Sequence, residues 1–282
     1  MLNASQQLSL EDGARDVVAK AMRGLARNTA HLALMTGLDP KLIEKGVESG
    51  VWEEAHLRTL APVLDLDGDA LVSLWRDEWY PEAVIWPEGL VRFTTDYKGI
   101  MSVHAYALVD SEERTALLFD TGADADLIRQ WLEHSSLTLG GVFITHGHGD
   151  HIGGLAALRG CYPNVRVWSR ETLPCPCSEV QWGEVIQTGK WMIHPHRTSG
   201  HAALGTSYQI QWGGRRLMFV GDCLFAGSMG GAPSAYAEAL EWVLIEVLSQ
   251  PLDTILLPGH GPSTTVAEER ANNPFFSGKF RP

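Results

Sequence analysis

THGHGDHIGG, residues 145–154, packs three imidazole groups and one carboxylate into six positions: His146, His148, Asp150 and His151. Gly147 and Gly149 alternate with the first of these side chains, so the backbone can turn sharply there and direct its neighbours to a common point. A solvated polar loop and a set of hydrogen-bonded core histidines are the structural alternatives. The density of ligand-type side chains disfavours both, and we interpret the stretch as a metal-binding loop.

The flanking sequence places this loop between a strand and a helix. The bulky apolar run GVFIT leads into it, and LAALRG follows at helical spacing. Loops at the ends of core strands are positioned by the sheet and remain exposed, which suits chemistry. His146 and His148 can reach one metal, whereas Asp150 and His151 lie further round the turn and are placed for a second.

Three more ligand candidates lie next to other strand-like runs. His201 precedes the period-2 segment TSYQIQW, Asp222 follows RLMFV, and His260 follows TILLPG. The complete set of five His and two Asp favours zinc, iron or manganese over copper, calcium or magnesium. Because a carboxylate has two oxygens that can bind two ions, Asp222 is predicted to bridge them.

The order HGHGDH, GH, GDCLF and GHG resembles the metallo-β-lactamase fold hydrolases, within their glyoxalase II-like branch. HAYALVD followed by ALLFDTG, and PGHGPSTTVAEERANNPFF, extend the resemblance over roughly residues 90–282. It implies an α/β (α+β) fold, a four-layer αββα sandwich with two mixed sheets. It also implies two metal sites that share Asp222, one formed by His146, His148 and His201 and the other by Asp150, His151 and His260.

Further residues are candidates for supporting roles. Asp120, in LFDTG, corresponds to a carboxylate beneath the ligand loop that orients a ligand histidine, with Thr145 beside it; an ordinary turn aspartate is the alternative. The residues assigned to a substrate pocket are His104, Tyr106, Cys223 and Phe225. His104, Tyr106, His194 and His196 could add hydrogen bonds or proton transfer, although each also suits a packed or surface position, and Cys223 also suits a small buried hydrophobe.

Two departures from the family pattern bear on the substrate. After Asp222 the chain reads GSMGGAPSAYAEAL where many relatives have Gly-Arg-Thr-Asp, so an arginine that would meet an anionic substrate is missing. The chain ends 22 residues after His260, which leaves no room for the C-terminal helices that bind glutathione in glyoxalase II. Both features disfavour glutathione, and the resemblance alone does not choose among esters, thioesters and lactones.

The leading functional hypothesis is a dinuclear hydrolase for a small-molecule ester, thioester or lactone. Two divalent cations, zinc and/or iron with manganese as a further option, would hold a bridging hydroxide and polarise the carbonyl, with Asp150 and Asp222 as the catalytic carboxylates. The chain has no GxSxG nucleophile elbow. Two alternatives stay open: a mononuclear iron dioxygenase acting on a persulfide, and a transcriptional regulator whose metal domain senses a ligand.

Composition limits the partners. The 282 residues are 45% hydrophobic and 20% charged, with a net charge of −12 that disfavours nucleic-acid substrates. No leader-like or 18-residue apolar run occurs, and four irregularly spaced cysteines do not form a disulfide framework. We expect a cytoplasmic enzyme with a small-molecule substrate, no nucleic-acid or membrane partner, and reduced thiols; a homodimer is compatible with the sequence.

Residues 1–88 differ from the rest and are predicted to form a small helical domain ahead of a catalytic domain over residues 89–282. Residues 37–71 resemble a Cro-type helix-turn-helix, but residues 1–90 hold eight Lys and Arg against fifteen Asp and Glu. Because binding to the DNA backbone requires positive charge, we expect no DNA binding. Trp75, Trp79 and Trp86 in the connecting segment predict a fixed interface between the two parts.

Overall fold

The computed structural model describes residues 8–280 of the chain. Within them, two six-stranded mixed sheets pack face to face between helical layers, and further helices precede the first strand. The predicted αββα fold class is therefore confirmed. The predicted ranges 1–88 and 89–282 reach residues 1–7 and 281–282, which lie outside the described part, and the division into two domains stays a prediction.

The first sheet has the strand order β1-β2-β3-β4-β5-β6. Its first three strands are antiparallel neighbours, and the pairs from β3 to β6 are parallel. The strands are β1 (Leu90–Tyr97), β2 (Met101–Asp110), β3 (Thr115–Phe119), β4 (Thr138–Phe143), β5 (Val167–Ser169) and β6 (Ser178–Glu179).

The second sheet has the order β12-β11-β10-β9-β8-β7, and its one parallel pair among the described residues is β10 with β11. That pair brings two carboxyl ends to the same edge. The strands are β7 (Ile186–Thr188), β8 (Trp191–Arg197), β9 (Thr206–Trp212), β10 (Arg215–Gly221), β11 (Ile255–Pro258) and β12 (Thr264–Thr265).

The helices fall into an N-terminal group and two outer layers. The N-terminal group is α1 (Ala14–Gly24), α2 (Thr29–Thr36), α3 (Pro40–Ser49), α4 (Glu54–Leu60) and α5 (Gly68–Trp75). The others are α6 (Asp126–Ser135), α7 (Gly149–Ile152), α8 (Leu155–Cys161), α9 (Tyr236–Trp242), which continues as a π-helical turn over Val243–Val247, and α10 (Val266–Asn272). None of the helices in residues 8–280 has the length and apolar character needed to cross a membrane.

Local sequence explains where the N-terminal helices begin and end. Asn28 and Asp39 accept backbone N–H bonds at the starts of α2 and α3, which satisfies donors that have no partner within the helix. Gly37 and Gly50 end these helices with φ of 75° and 72°, in the left-handed region where glycine carries no steric penalty.

Alternating side chains of the central strands enter different cores. Leu217 and Phe219 of β10 point between the sheets, whereas Met218 and Val220 point to the outer layer. Burial on both faces explains why RLMFV reads as a continuous apolar run. Between the sheets, the ring of Phe119 stacks on that of Phe219 with centroids 3.6 Å apart.

The N-terminal helices are part of the outer core of the second sheet. Val17, Leu32 and Leu71 belong to the same buried cluster as Met218 and Leu256 of the sheet. Trp75 and Trp79 pack against this cluster, and Trp86 packs between the sheets. The three tryptophans therefore pack against the sheets, and the fixed interface stays a prediction.

Candidate metal centre

The loop after β4 carries the first four predicted ligands. His148 caps the single turn of α7, and its carbonyl oxygen accepts hydrogen bonds from the backbone N–H groups of His151 (3.0 Å) and Ile152 (3.1 Å). This turn brings His151 to Asp222 and Asp150 to His260, while the His151 ring stays beside that of His146, with centroids 4.1 Å apart. The loop is held at its start, where the Thr206 N–H donates to the Thr145 carbonyl oxygen at 2.9 Å across the two sheets.

The other three ligands lie at the same end of the second sheet. Asp222 directly follows β10, His260 follows β11, and His201 lies in the connection between β8 and β9. Because β10 and β11 are parallel neighbours, their carboxyl ends meet at one edge, and Asp222 and His260 lie side by side. The seven predicted ligands therefore converge where the two sheets meet.

The ligand atoms form two groups, each with its members within 4.8 Å of one another. One group holds His146, His148 and His201, and the other holds Asp150, His151, Asp222 and His260. The atom Oδ2 of Asp222 lies 3.3 Å from Nε2 of His260 and 3.6 Å from Nε2 of His201. Asp222 thus contacts both groups, as a bridging carboxylate would.

Hydrogen bonds fix the orientation of four of the five imidazole rings. The Nδ1 atoms of His201 and His260 lie 3.0 and 2.6 Å from the carbonyl oxygens of Gly231 and Ser102. The carbonyl acceptors hold a proton on Nδ1 and direct Nε2 into the cluster, where a bound cation would take the place of any proton on that atom. His148 differs, because its Nδ1 faces Nε2 of both His146 and His201 at 3.1 and 3.0 Å.

Asp120 lies beneath the ligand loop and is buried. Its carboxylate accepts hydrogen bonds from the Thr145 N–H and hydroxyl, both at 2.7 Å, and from Nδ1 of His151 at 2.8 Å. The Thr145 hydroxyl in turn lies 3.0 Å from Nδ1 of His146. Asp120 therefore orients one histidine directly and another through Thr145, and does not act merely as a turn residue.

The buried charges of the cluster depend on one another. Burial alone would raise the pKa of Asp222, but the charge of His151 and the nearby His260 outweigh it and hold that pKa well below its usual range. Burial likewise lowers the pKa of His260, but Asp150 and Asp222 reverse the effect and raise it to about 10. Burial holds the pKa of His146 well below its usual range, which keeps its lone pair available to a metal.

An orphaned pair of atoms supports a cation in this site. Nε2 of His151 and Oδ1 of Asp222 are buried 3.1 Å apart, and neither has a hydrogen bond of acceptable geometry. Unsatisfied buried polar atoms are rare in native proteins, and a shared metal ion is one way to satisfy both. Together with the imidazole and carboxylate donors, this arrangement fits two transition-metal ions.

Glycines allow this close packing. A Cβ atom at Gly259 would lie 2.3 Å from Oδ1 of Asp222 and 2.4 Å from Cε1 of His151. At Gly230 a Cβ atom would lie 1.9 Å from the Asp222 carbonyl oxygen and 2.8 Å from Nδ1 of His201. Glycine is therefore required at positions 259 and 230, where the backbone lies directly against the ligands.

Some of the predicted pocket residues lie elsewhere. His104 and Tyr106 are buried beneath the His260 loop, where Nε2 of His104 lies 3.0 Å from the Gly261 carbonyl oxygen and the Tyr106 hydroxyl donates to the Pro258 carbonyl oxygen at 2.7 Å. They support that loop and do not line a substrate pocket. Both side chains are enclosed because β2 is buried on both of its faces at these positions.

The remaining predicted side chains divide between the site and other surroundings. The ring of Phe225 lies edge-on to His260 with centroids 5.6 Å apart, so it does border the cluster. The sulfur of Cys223 lies 3.6 Å from the Ser207 hydroxyl oxygen. Burial raises the pKa of this thiol to about 12, so it stays protonated near neutral pH. His194 is exposed on β8, and His196 pairs with Glu246 at 2.7 Å, away from the ligands.

Sequence reasoning missed Glu171, which supports two of the ligand loops. Its carboxylate accepts hydrogen bonds from the Gly147 N–H at 2.9 Å and the Leu204 N–H at 3.2 Å. It thereby ties the loop of His146 to that of His201. A single glutamate after a short strand carries no motif, so no sequence signal identified it.

Comparison with known proteins places this fold and site in a family. The model of the Metallo-beta-lactamase superfamily matches residues 99–183. An uncharacterized protein of Aquifex aeolicus is 30% identical over 201 residues, which cover 63% of this chain and 93% of the relative. The chain therefore belongs to the metallo-β-lactamase superfamily, as its sequence motifs implied.

Two further matches show which members of the superfamily this chain is similar to. Hydroxyacylglutathione hydrolase GloC of Haemophilus influenzae is 26% identical over 203 residues, covering 61% of this chain and 92% of that protein. The crystal structure of BLEG-1 B3 metallo-β-lactamase superposes with a TM-score of 0.59 at 26% identity, covering 67% of this chain and all of that chain. These proteins are matched over nearly their whole length, yet about a third of this chain has no counterpart in them.

Proposed function

We propose that the protein is a dinuclear metal-dependent hydrolase that cleaves an ester, thioester or lactone bond of a small molecule. The observation that carries this proposal is the convergence of seven ligand-type side chains in two groups that share the carboxylate of Asp222. The similarity to hydroxyacylglutathione hydrolases, at 26% identity for the Haemophilus influenzae protein, supports the hydrolytic class.

The donor set favours zinc, iron or manganese, because nitrogen and carboxylate oxygen ligands suit these ions. Two such cations would supply a nucleophilic water with a pKa near neutrality and would polarise the carbonyl oxygen of the substrate. The residues of the chain would hold and orient that chemistry. His146, His148 and His201 would hold one ion, and Asp222 would contribute its carboxylate to both sites.

The second group combines ligation with charge balance. Asp150 and Asp222 place two carboxylates beside the imidazoles of His151 and His260, with Oδ2 of Asp150 at 3.3 Å from Nε2 of His260. Two carboxylates offset much of the positive charge of two divalent ions, and Asp150 is further positioned to accept a proton from the attacking water. The buried walls around His151 and His260 exclude bulk water from this side.

A small, uncharged or weakly charged substrate suits the surroundings of the site. The 225–231 loop, which leads from Asp222 towards α9, carries no arginine or lysine, and the whole chain has a net charge of −12. An anionic leaving group such as glutathione would therefore meet little positive charge beyond that of the metals. We propose a cytoplasmic role without a nucleic-acid or membrane partner.

Elemental analysis of protein purified without added metal, followed by hydrolysis assays on the same sample with thioesters, lactones and phosphodiesters, tests the proposal. About two zinc, iron or manganese ions per chain and turnover of one carbonyl class are expected. One tightly held iron with iron-dependent oxygen uptake on a persulfide, and no hydrolysis, would replace the proposal with the dioxygenase alternative.

A variant pair links the metals to turnover. Asp222→Ala is expected to lose tight binding of both ions and to lower kcat/KM by about 10³-fold or more, because it removes the shared ligand. The same substitution at Asp253, which is exposed in the connection to β11, is expected to change neither. Full activity of metal-free protein or of Asp222→Ala would refute the metal-dependent mechanism.

A further inference from the structure

The N-terminal part of the chain reaches the metal centre. Residues 9–11 pack on the His260 loop, where the Cβ position of Gly261 lies 3.2 Å from the backbone nitrogen of Glu11 and 3.7 Å from the carbonyl oxygen of Ser9. These residues precede the first strand of the two sheets, which begins at Leu90. The N-terminal segment thus adds contacts to the site that do not come from the sheets themselves.

Asp12 and Lys20 form a buried ion pair at this contact. Asp12 lies just before α1 and Lys20 lies on α1, and their side chains are 8% and 14% exposed. Lys20 also donates from Nζ to the Met229 carbonyl oxygen at 2.9 Å, and Asp12 accepts a hydrogen bond from the Ser228 hydroxyl at 2.6 Å. The pair therefore binds two consecutive residues of the 225–231 loop through charge-assisted hydrogen bonds, which are stronger than neutral ones.

The same loop contacts two of the proposed ligands. The Gly231 carbonyl oxygen lies 3.0 Å from Nδ1 of His201, and Gly230 packs against the His201 ring and the backbone of Asp222. From Lys20 to His201 the connection therefore runs through Met229 and the two glycines that follow it. A shift of this loop would remove the acceptor that fixes the proton of His201 on Nδ1.

A second set of hydrogen bonds anchors the beginning of the 225–231 loop. Glu269 accepts the Gly227 N–H at 3.1 Å, and Asn273 donates to the Ser228 carbonyl oxygen at 2.9 Å. Glu269 lies on α10 and Asn273 directly follows that helix, so these two bonds fix Gly227 and Ser228 at the start of the loop. Besides His201 itself, Lys20 is the side chain that bonds the segment from Met229 to Gly231 among the bonds described for residues 8–280.

We propose that Asp12 and Lys20 are positioning residues of the metal centre, and that the N-terminal segment thereby orients His201 for the ion held with His146 and His148. This inference rests on the metal centre of the proposed function but not on its hydrolytic reaction. It assigns the N-terminal helices a part in metal binding in place of DNA recognition. Partners that orient metal ligands typically contribute about 10–100-fold to metal affinity.

Lys20→Met tests the proposal, because it keeps the length of the side chain and removes its charge and its hydrogen bonds. Arg23→Met is the matched control, since Arg23 lies one turn further along α1, is exposed and undergoes the same loss of charge. Metal-free samples of wild type and both variants are titrated with Co²⁺ while the visible absorption is recorded. Chelator competition then gives the affinity of each of the two sites.

Wild type and Arg23→Met are expected to bind two Co²⁺ ions with the same spectra. Lys20→Met is expected to bind one ion normally and the other at least about tenfold more weakly, with an altered absorption band. A purely structural role of Lys20 would lower the unfolding temperature of the metal-free protein without separating the two sites. Equal affinities and unchanged spectra in folded Lys20→Met would overturn the proposal.

Ser228→Ala provides a milder second variant if Lys20→Met does not fold. It removes only the hydroxyl that donates a hydrogen bond to Asp12. We expect the affinity of the site that contains His201 to fall by about threefold to tenfold. Wild-type affinity in Ser228→Ala and in a folded Asp12→Asn would count against the proposal. Hydrolysis by wild type is scored separately, so an inactive protein that binds two ions would refute the hydrolase function and leave this inference standing.

Discussion

Replacing Asp120 by asparagine should separate metal affinity from the fold. The carboxylate accepts three hydrogen bonds, from two groups of Thr145 and from Nδ1 of His151. Asp120 has φ of 57°, a left-handed conformation that asparagine tolerates about as well as aspartate, so the substitution adds little backbone strain. Its effect is therefore confined to the hydrogen bonds.

An amide cannot satisfy these donors in either orientation. If its oxygen faces the Thr145 N–H, its NH₂ group meets Nδ1 of His151, whose proton must then move to Nε2 and block the lone pair offered to the metal. If the oxygen faces His151, the NH₂ group opposes the Thr145 N–H. With about 1–3 kcal/mol for each buried group left unsatisfied, the metal-free protein should lose about 2–4 kcal/mol of unfolding free energy.

Metal affinity should fall selectively. The ion that Asp150, His151 and His260 would hold is expected to bind about 10–100-fold more weakly in Asp120→Asn, whereas the binding of an ion to His146, His148 and His201 should change less. Urea unfolding of metal-free protein measures the first effect, and calorimetric titration with Zn²⁺ measures the second.

Asp65→Asn is the matched control. Asp65 also has a left-handed φ, of 54°, but its side chain is exposed and pairs with Lys279 at 2.9 Å. A surface pair of this kind contributes about 0–1 kcal/mol, and no change in metal binding is expected. If Asp120→Asn behaved like Asp65→Asn in both measurements, the role assigned to Asp120 would be wrong.

Three further predictions follow from packing, backbone contact and a buried charge. Phe119→Ala should lower the unfolding free energy in urea by about 3–5 kcal/mol, because it empties an aromatic stack between the sheets; a loss below about 1 kcal/mol would contradict this packing. Gly230→Ala should displace the loop beside Asp222 and reduce bound zinc, whereas Gly231→Ala, whose Cβ would meet nothing within 4 Å, should retain it; equal zinc contents would count against the contact. Burial raises the pKa of Glu269 from 4.5 to about 7. Its contribution to the stability of the folded protein is therefore fully present below about pH 4.5 and is lost as the pH rises through 7. The unfolding free energy of wild type relative to Glu269→Gln should therefore fall by up to about 3 kcal/mol over that window, and a difference independent of pH would exclude the raised pKa.

The ligand set was accessible from sequence because its signals are local. His146, His148, Asp150 and His151 are neighbours in the chain, and Asp222 and His260 each follow an apolar run that is long enough to be recognised as a strand. The structure brings these six side chains and His201 together. The αββα arrangement came from the resemblance, since periodicity does not specify strand order.

Contacts distant in sequence could not be predicted in this way. The bond from Lys20 to Met229 spans 209 residues, and neither residue belongs to a motif. The pocket assignment of His104 and Tyr106 failed for a different reason. The resemblance predicts a strand at HAYALVD, but a strand that is buried on both faces gives no signal for which face meets the site.

The ligands come from both sheets, and this has a thermodynamic consequence. His146 and His151 follow β4 of the first sheet, whereas Asp222 and His260 follow β10 and β11 of the second. Each bound ion would cross-link the two halves of the sandwich. Occupancy and global stability would then be coupled by mass action, with a gain of about 2.7 kcal/mol per ion at a free concentration one hundred times its Kd. The melting temperature would thus report the available metal, and starvation for metal would expose the chain to unfolding as well as inactivate it.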